Sequence, residues 1–213
     1  MLAEVLSGVL GNLILLFGIP FVGYVAFHRR RRPDRPPGPL RHRLSWREIL
    51  GRAGLRLGEP RYIGYCLFAA AGVVAYLSLR PPSMEAFARE GSAQAVFAGA
   101  GLNVTAVLGA LLYGMVQTGF CEEFLFRGLI AGSLSRRMSL TSANLTQAVI
   151  FLLPHFAILW IMPEMWPVLI LVFAGALFTG WIRIRSGSIV GPWLLHGAAN
   201  VTMALSVAAR TVG

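Results

Sequence analysis

Residues 102–134 read LNVTAVLGALLYGMVQTGFCEEFLFRGLIAGSL, and only Glu122, Glu123 and Arg127 interrupt the run with charge. The hydrocarbon core of a bilayer, about 30 Å thick, is crossed by roughly 20 helical residues rising about 1.5 Å each. The run therefore spans a membrane with length to spare. It is too long to stand straight and perpendicular, which predicts a tilt or a break, with Gly114 and Gly119 as the expected positions.

The flanking sequence repeats the signal. Apolar stretches at Leu2–Phe27, Tyr62–Leu79, Asn144–Met162, Met165–Ile182 and Ile189–Ala209 accompany the Leu102–Leu134 run. The expected fold is all-α, a polytopic membrane helix bundle of about six transmembrane helices. Hydrophobic residues make up 56% of the chain and charged residues 13%, which excludes an ordinary cytosolic enzyme, a secreted disulfide scaffold and a disordered tail. Glu4 precedes the first stretch and Arg29–Arg32 follow it, the reverse of a cleaved signal peptide, so it reads as a retained span. No internal repeat of the transporter kind is visible.

All 19 basic residues are Arg, and 11 of them fall between Arg29 and Arg61, where the acids are Asp34, Glu48 and Glu59. Between two apolar runs, such a cluster reads as a cytoplasmic loop against anionic lipid rather than a nucleic-acid site. Its first part, RRRRPDRPPGPLRHR, is a proline-rich linker. Ser45–Leu57 then offers a capping box, Ser45 with Glu48, and an apolar face of Trp46, Ile49, Leu50, Ala53 and Leu57, which predicts a short interfacial helix. Arg136, Arg137, Arg183 and Arg185 fall in later loops of the same side, so both termini are expected outside. Residues 1–61 thus comprise the first transmembrane helix, the Arg-rich cytoplasmic linker and the interfacial helix, and residues 62–213 form the core.

Within the spans, five ionisable residues stand out: Glu122, Glu123, Arg127, His155 and His196. Each costs roughly 2.5 kcal/mol or more at the centre of a bilayer, which marks them as a functional cluster by default. Glu123 and Arg127 are four apart with the acid first, the favourable order for an ion pair on one helix face. Glu122 lies five residues from Arg127, about 140° around the helix, and is the carboxylate left to face something else. His196 and Asn200 share a face, as do Phe151 and His155, and Pro154 bends the helix beside His155. Counted at about 1.5 Å per residue, Glu122 lies about 21 Å from Arg136, His155 about 16 Å from Asn144 and Asn200 about 16 Å from Ile189. Three helices can bring these groups to one depth near mid-membrane.

An acid in an apolar cavity beside an imidazole can take a proton from water, and an imidazole with an amide can donate to a developing oxyanion. That is equipment for amide hydrolysis. The same Glu and two His (Glu122, His155, His196) also suit zinc, with metal-bound water as nucleophile, and the residues alone leave both chemistries open. Blander readings hold elsewhere. Cys66 and Cys121 read as buried thiols, with no disulfide expected. Gly128 and Gly132 form a GxxxG step for close intramolecular packing, and Trp160, Trp166, Trp181 and Trp193 read as interfacial anchors.

Glu122–Gly128, EEFLFRG, matches EExxxR; Phe151–His155, FLLPH, matches FxxxH; and His196–Asn200, HGAAN, matches HxxxN. Together, in this order, they resemble the CPBP (CAAX protease and bacteriocin-processing, or Abi) family of intramembrane proteases, related to the Rce1-type CAAX prenyl endopeptidases. The resemblance runs from about Val104 to Val207. It implies a membrane endopeptidase whose candidate catalytic set is Glu122, Glu123, Arg127, His155, His196 and Asn200. In that reading Glu122 activates water with His155 beside it, Glu123 and Arg127 form the supporting pair, and His196 with Asn200 stabilise the oxyanion. The expected partner is a membrane-associated protein or peptide substrate, with anionic lipid at Arg29–Arg61 and no nucleic acid. A bacterial cytoplasmic membrane is the expected location, given the Arg-only, Ala- and Gly-rich composition. The rival classes are a non-catalytic membrane scaffold or immunity-type protein, and a small proton-coupled transporter.

Overall fold

The computed structural model describes residues 1–29, 44–80 and 84–210, and among these it contains helices and no strand. Helix α1 covers Leu2–Arg29, α2 Trp46–Arg52, α3 Pro60–Leu79, α4 Met84–Ala88 and α5 Val104–Leu134. After these come α6 at Leu140–His155, α7 at Ile158–Ile161, α8 at Trp166–Ser186 and α9 at Val190–Arg210. The linker at 30–43, which carries most of the expected lipid-binding arginines, lies outside the described residues.

Five segments are long and apolar enough to cross a membrane: Leu2–Arg29, Pro60–Leu79, Val104–Leu134, Leu140–Ile161 and Pro163–Ser186. The sixth expected span, α9, is helical over Val190–Arg210 but falls outside that set. Burial explains the difference. From Val190 to Ala208 no residue of α9 is exposed, because the helix runs through the middle of the bundle against α3 and α5. A helix walled by protein can carry His196, Asn200, Thr202 and Ser206, since its side chains need not match lipid. The outer helices show the converse, with Leu10, Leu15 and Val22 on α1, and Phe68 on α3, exposed as lipid-facing residues are.

Helix α5 does not break at Gly114 or Gly119. It runs unbroken and widens into π-helical turns at Leu112–Phe120 and Glu123–Ala131. A π-turn shifts the hydrogen-bonding register and leaves carbonyls for other donors, which inside a membrane must be supplied by the protein. Trp193 Nε1 donates to the carbonyl of Met115 at 2.6 Å, Asn12 Nδ2 donates to Gln117 at 2.9 Å, and Thr118 Oγ1 donates to Tyr113 at 3.1 Å. The widened helix is thus braced by α1 and α9. The glycines serve contact rather than a break. A Cβ at Gly114 would meet Val201 N at 2.6 Å, one at Gly119 would meet the Gly114 carbonyl at 2.5 Å and Gly197 Cα at 3.2 Å, and one at Gly197 would meet Met115 Sδ. Only bare backbones let α5 and α9 approach this closely.

The interfacial helix is shorter than its pattern and sits on protein as well as beside lipid. Its capping box forms as expected, with Ser45 N donating to Glu48 Oε2 at 2.7 Å. Ile49 and Ala53 are fully buried, whereas Trp46 and Leu57 are exposed. The reason is the GxxxG step on α5. A Cβ at Gly128 would meet the Ala53 carbonyl at 2.6 Å, and one at Gly132 would meet Arg183 Nη2 at 2.8 Å and the Arg52 carbonyl at 3.1 Å, so the step receives the end of α2 together with the Arg183 side chain of α8. Ile189 N closes the seam on the Gly54 carbonyl at 3.0 Å, with Gly54 at φ +82° where a side chain would be strained. Trp160 and Trp166 are exposed as anchors should be. Trp181 and Trp193 are not anchors: Trp181 packs on Tyr62, and Trp193 packs on Phe120 and braces the π-turn.

Gly119→Ala is expected to destabilise the fold by about 1–3 kcal/mol through overpacking. Gly72→Ala, where an added Cβ meets nothing within 4 Å, should be close to neutral. Thermal unfolding of both variants in the same detergent checks the contrast.

Candidate active site

Three helices supply the cluster. Helix α5 carries Glu122, Glu123 and Arg127, α6 ends with Phe151 and His155, and α9 carries His196 and Asn200. Pro154 stands in the last turn of α6, where the helix stops at His155 and turns through Phe156 and Ala157 before α7. The expected bend is therefore an ending, which leaves the His155 ring at a helix terminus instead of inside a continuous wall.

Glu123 is the best-anchored group. Arg127 Nη1 lies 3.2 Å from its Oε1, and both side chains are almost wholly buried, at 1% and 2% exposure. The ion pair expected from their spacing is present. The same oxygen also receives His196 Nδ1 at 2.9 Å, so Glu123 ties α5 to α9 as well. Arg127 is fixed from two further sides. Its Nη2 donates to Thr179 Oγ1 on α8 at 2.8 Å, and its guanidinium lies 4.0 Å from the centre of the Phe151 ring. A buried ion pair of this kind needs hydrogen bonds at its remaining polar atoms to offset desolvation, and Thr179 supplies one. Glu123 Oε2 has no hydrogen-bond partner.

Glu122 points elsewhere. Its Oε2 lies 3.9 Å from His196 Nε2, beyond direct hydrogen-bond length, with side-chain exposures of 19% for Glu122 and 17% for His196. These two groups keep an accessible face while the pair beneath them is sealed. With Nδ1 against the Glu123 carboxylate, His196 turns Nε2 towards Glu122.

His155 makes no hydrogen bond to Glu122. Its Nδ1 engages the Phe151 carbonyl at 2.8 Å, which leaves Nε2 as the ring nitrogen free of that bond. Phe151 separates the groups, with its ring 4.5 Å from His155 and 6.2 Å from His196. Asn200 Nδ2 donates to Thr118 Oγ1 at 2.8 Å, so one amide hydrogen is spent on α5. Sequence reasoning missed Thr118 and Thr179. Thr118 carries a weak signal, standing four residues before Glu122, but Thr179 has none. Among the described residues, no group of three or more His, Cys, Asp or Glu side chains is gathered to hold a metal ion.

Helices of spanning length, built around a buried carboxylate and two imidazoles, define a polytopic membrane protein with a polar centre. Residues 103–202 match the family model described as type II CAAX prenyl endopeptidase Rce1-like. That stretch is just under half of the chain and includes every candidate site residue, and the match supports kinship with the Rce1-like family. Nothing among curated proteins and nothing among solved structures matches the chain.

Arg127→Met is expected to cost about 3–5 kcal/mol of stability, because it leaves Glu123 buried without its cation. Adding Glu123→Gln to that variant should recover part of the loss. Unfolding in detergent of the two singles and the double checks the coupling.

Proposed function

We propose that the protein is an intramembrane endopeptidase in which Glu122 activates water. What supports the reading is the contrast in access: Glu122 and His196 lie 3.9 Å apart and keep part of their side chains accessible, while Glu123 and Arg127 behind them are sealed. One water can hydrogen-bond to both Glu122 Oε2 and His196 Nε2 across that gap. Glu122 accepts a proton from this water as its oxygen attacks the scissile carbonyl. The proton then passes to the departing amine nitrogen, and a new carboxylic acid and a new amine result.

The remaining groups serve the tetrahedral intermediate. His196 is held through Nδ1 on the Glu123 carboxylate, and a proton on Nε2 donates to the oxyanion. The second amide hydrogen of Asn200 adds a donor beside it. His155, with Nε2 free of the Phe151 bond, accepts or relays a proton near Glu122. Arg127 pairs with the Glu123 carboxylate and holds the Phe151 ring between the two imidazoles.

The substrate in this reading is a membrane-apposed protein or peptide, cleaved near a lipidated or amphipathic carboxyl terminus. The family description names prenylated CAAX substrates. Composition favours a bacterial cytoplasmic membrane, where an amphipathic segment is the more natural occupant. The Arg-rich end faces the cytoplasm by the charge bias of its loops.

The test is a cleavage assay on a panel of membrane-associated peptides in liposomes. Wild type should cleave, Glu122→Gln should lose about 100-fold or more, as expected for loss of a general base, and chelators should have no effect. Loss on chelation with recovery on adding zinc would replace the glutamate mechanism with a metal one. Equal rates for wild type and Glu122→Gln would reject the peptidase reading in favour of a scaffold.

A further inference from the structure

Away from the acid–imidazole cluster, the end of the bundle where α1, α5 and α8 finish holds a second concentration of charge. Two cavities of about 540 and 730 Å³ adjoin there and share Arg52 and Arg136 in their walls. The second adds Arg47, Arg56 and Arg183. Arg183 is 6% exposed, its Nη2 donates to the Arg52 carbonyl at 2.7 Å, and its Nε is buried without a partner. Arg136 and Arg56, both of the same sign as Arg183, act on it, with Tyr24 the opposing group.

Among the described residues, none of Arg52, Arg56, Arg136 and Arg183 pairs with a carboxylate; the ion pairs formed by arginines are Arg61–Glu59, Arg89–Glu164 and Arg127–Glu123. Glu48 is the one acid lining the cavities, and its Oε2 receives Ser45 N and Ser45 Oγ at 2.7 and 2.8 Å. Arg52, Arg56 and Arg136 are exposed beside the buried Arg183; guanidinium groups converging without an anion repel one another, and an anion seated among them relieves the repulsion while taking charge-assisted hydrogen bonds. Arginine forks suit the oxygens of a phosphate.

The first cavity says where such a phosphate would come from. It lies between α1 and α5 and is lined by the apolar Pro20, Phe27 and Leu129, by Tyr24, His28 and Ser133, and by Arg52, Arg136 and Arg137. Apolar side chains beside a cluster of arginines, at the end of two spans, match a phospholipid: an acyl chain against Pro20, Phe27 and Leu129 and a phosphate at the arginines. We propose that this basin is a binding site for one anionic phospholipid, with its phosphate held by Arg52 and Arg136 against Arg183.

Native mass spectrometry of the full-length protein in detergent tests the assignment, with phosphatidylglycerol, phosphatidylcholine and inorganic phosphate as separate probes. Phosphatidylglycerol should be retained in preference to phosphatidylcholine, and R52Q/R136Q should weaken that retention about tenfold or more, the loss expected for charge-assisted contacts. Arg89→Gln, whose ion pair with Glu164 lies apart from both cavities, should leave it unchanged. Arg137→Gln removes an exposed charge that makes no hydrogen bond, and should give a smaller loss in the same direction; it decides the matter if the double variant does not fold. Equal retention of the two lipids, or retention unaffected in R52Q/R136Q and Arg137→Gln, overturns the proposal. Displacement of phosphatidylglycerol by inorganic phosphate at equal concentration overturns the lipid source and leaves a free-phosphate site.

Discussion

Glu123 Oε1 stands between the guanidinium of Arg127 at 3.2 Å and the imidazole of His196 at 2.9 Å, inside a bundle whose outer faces are apolar. A carboxylate taken from water into a membrane interior costs several kcal/mol unless cations and donors surround it. The surrounding groups come from four helices: Arg127 on α5 itself, His196 on α9, Thr179 on α8, and the Phe151 ring of α6 against the guanidinium. Helices that meet at one buried charge have little freedom to slide past one another. The open carboxylate next to it inherits that rigidity, so Glu122 faces His196 without a bond of its own to hold it there.

Backbone chemistry supports the same arrangement. Widening α5 into π-turns leaves carbonyls that lipid cannot satisfy, and Trp193, Asn12 and Thr118 answer them from α9, α1 and α5. Thr118 then holds Asn200, so backbone register and site geometry are joined through one hydroxyl. Gly114, Gly119 and Gly197 let the two helices approach until these bonds are possible. Near the opposite end of α5, Gly128 and Gly132 receive the end of α2 and place Arg52 beside Arg183. One helix thus organises both the acid–imidazole cluster and the basic basin.

Much of this was legible in the sequence wherever the governing distance is local. The outer spans follow from hydropathy, the Ser45–Glu48 box from its spacing, and the Glu123–Arg127 pair from one turn of helix. The second partner of Glu123 was not legible. His196 is 73 residues away, and its approach depends on how α5 and α9 dock, which no single helix encodes. The π-turns escaped for a related reason, since they are sustained by side chains on neighbouring helices. Trp193 resembled an interfacial anchor because its position near a helix end says nothing of a carbonyl across the bundle. Thr179 is an ordinary residue in an apolar run until Arg127 is placed against it.

Nitrogen-15 NMR of the imidazole rings, with His196 assigned by substitution, tests the shared carboxylate most directly. The account predicts a proton on His196 Nδ1 at neutral pH and a clear change in its resonance when Glu123 becomes Gln. A deprotonated Nδ1, or a spectrum indifferent to that substitution, would contradict it.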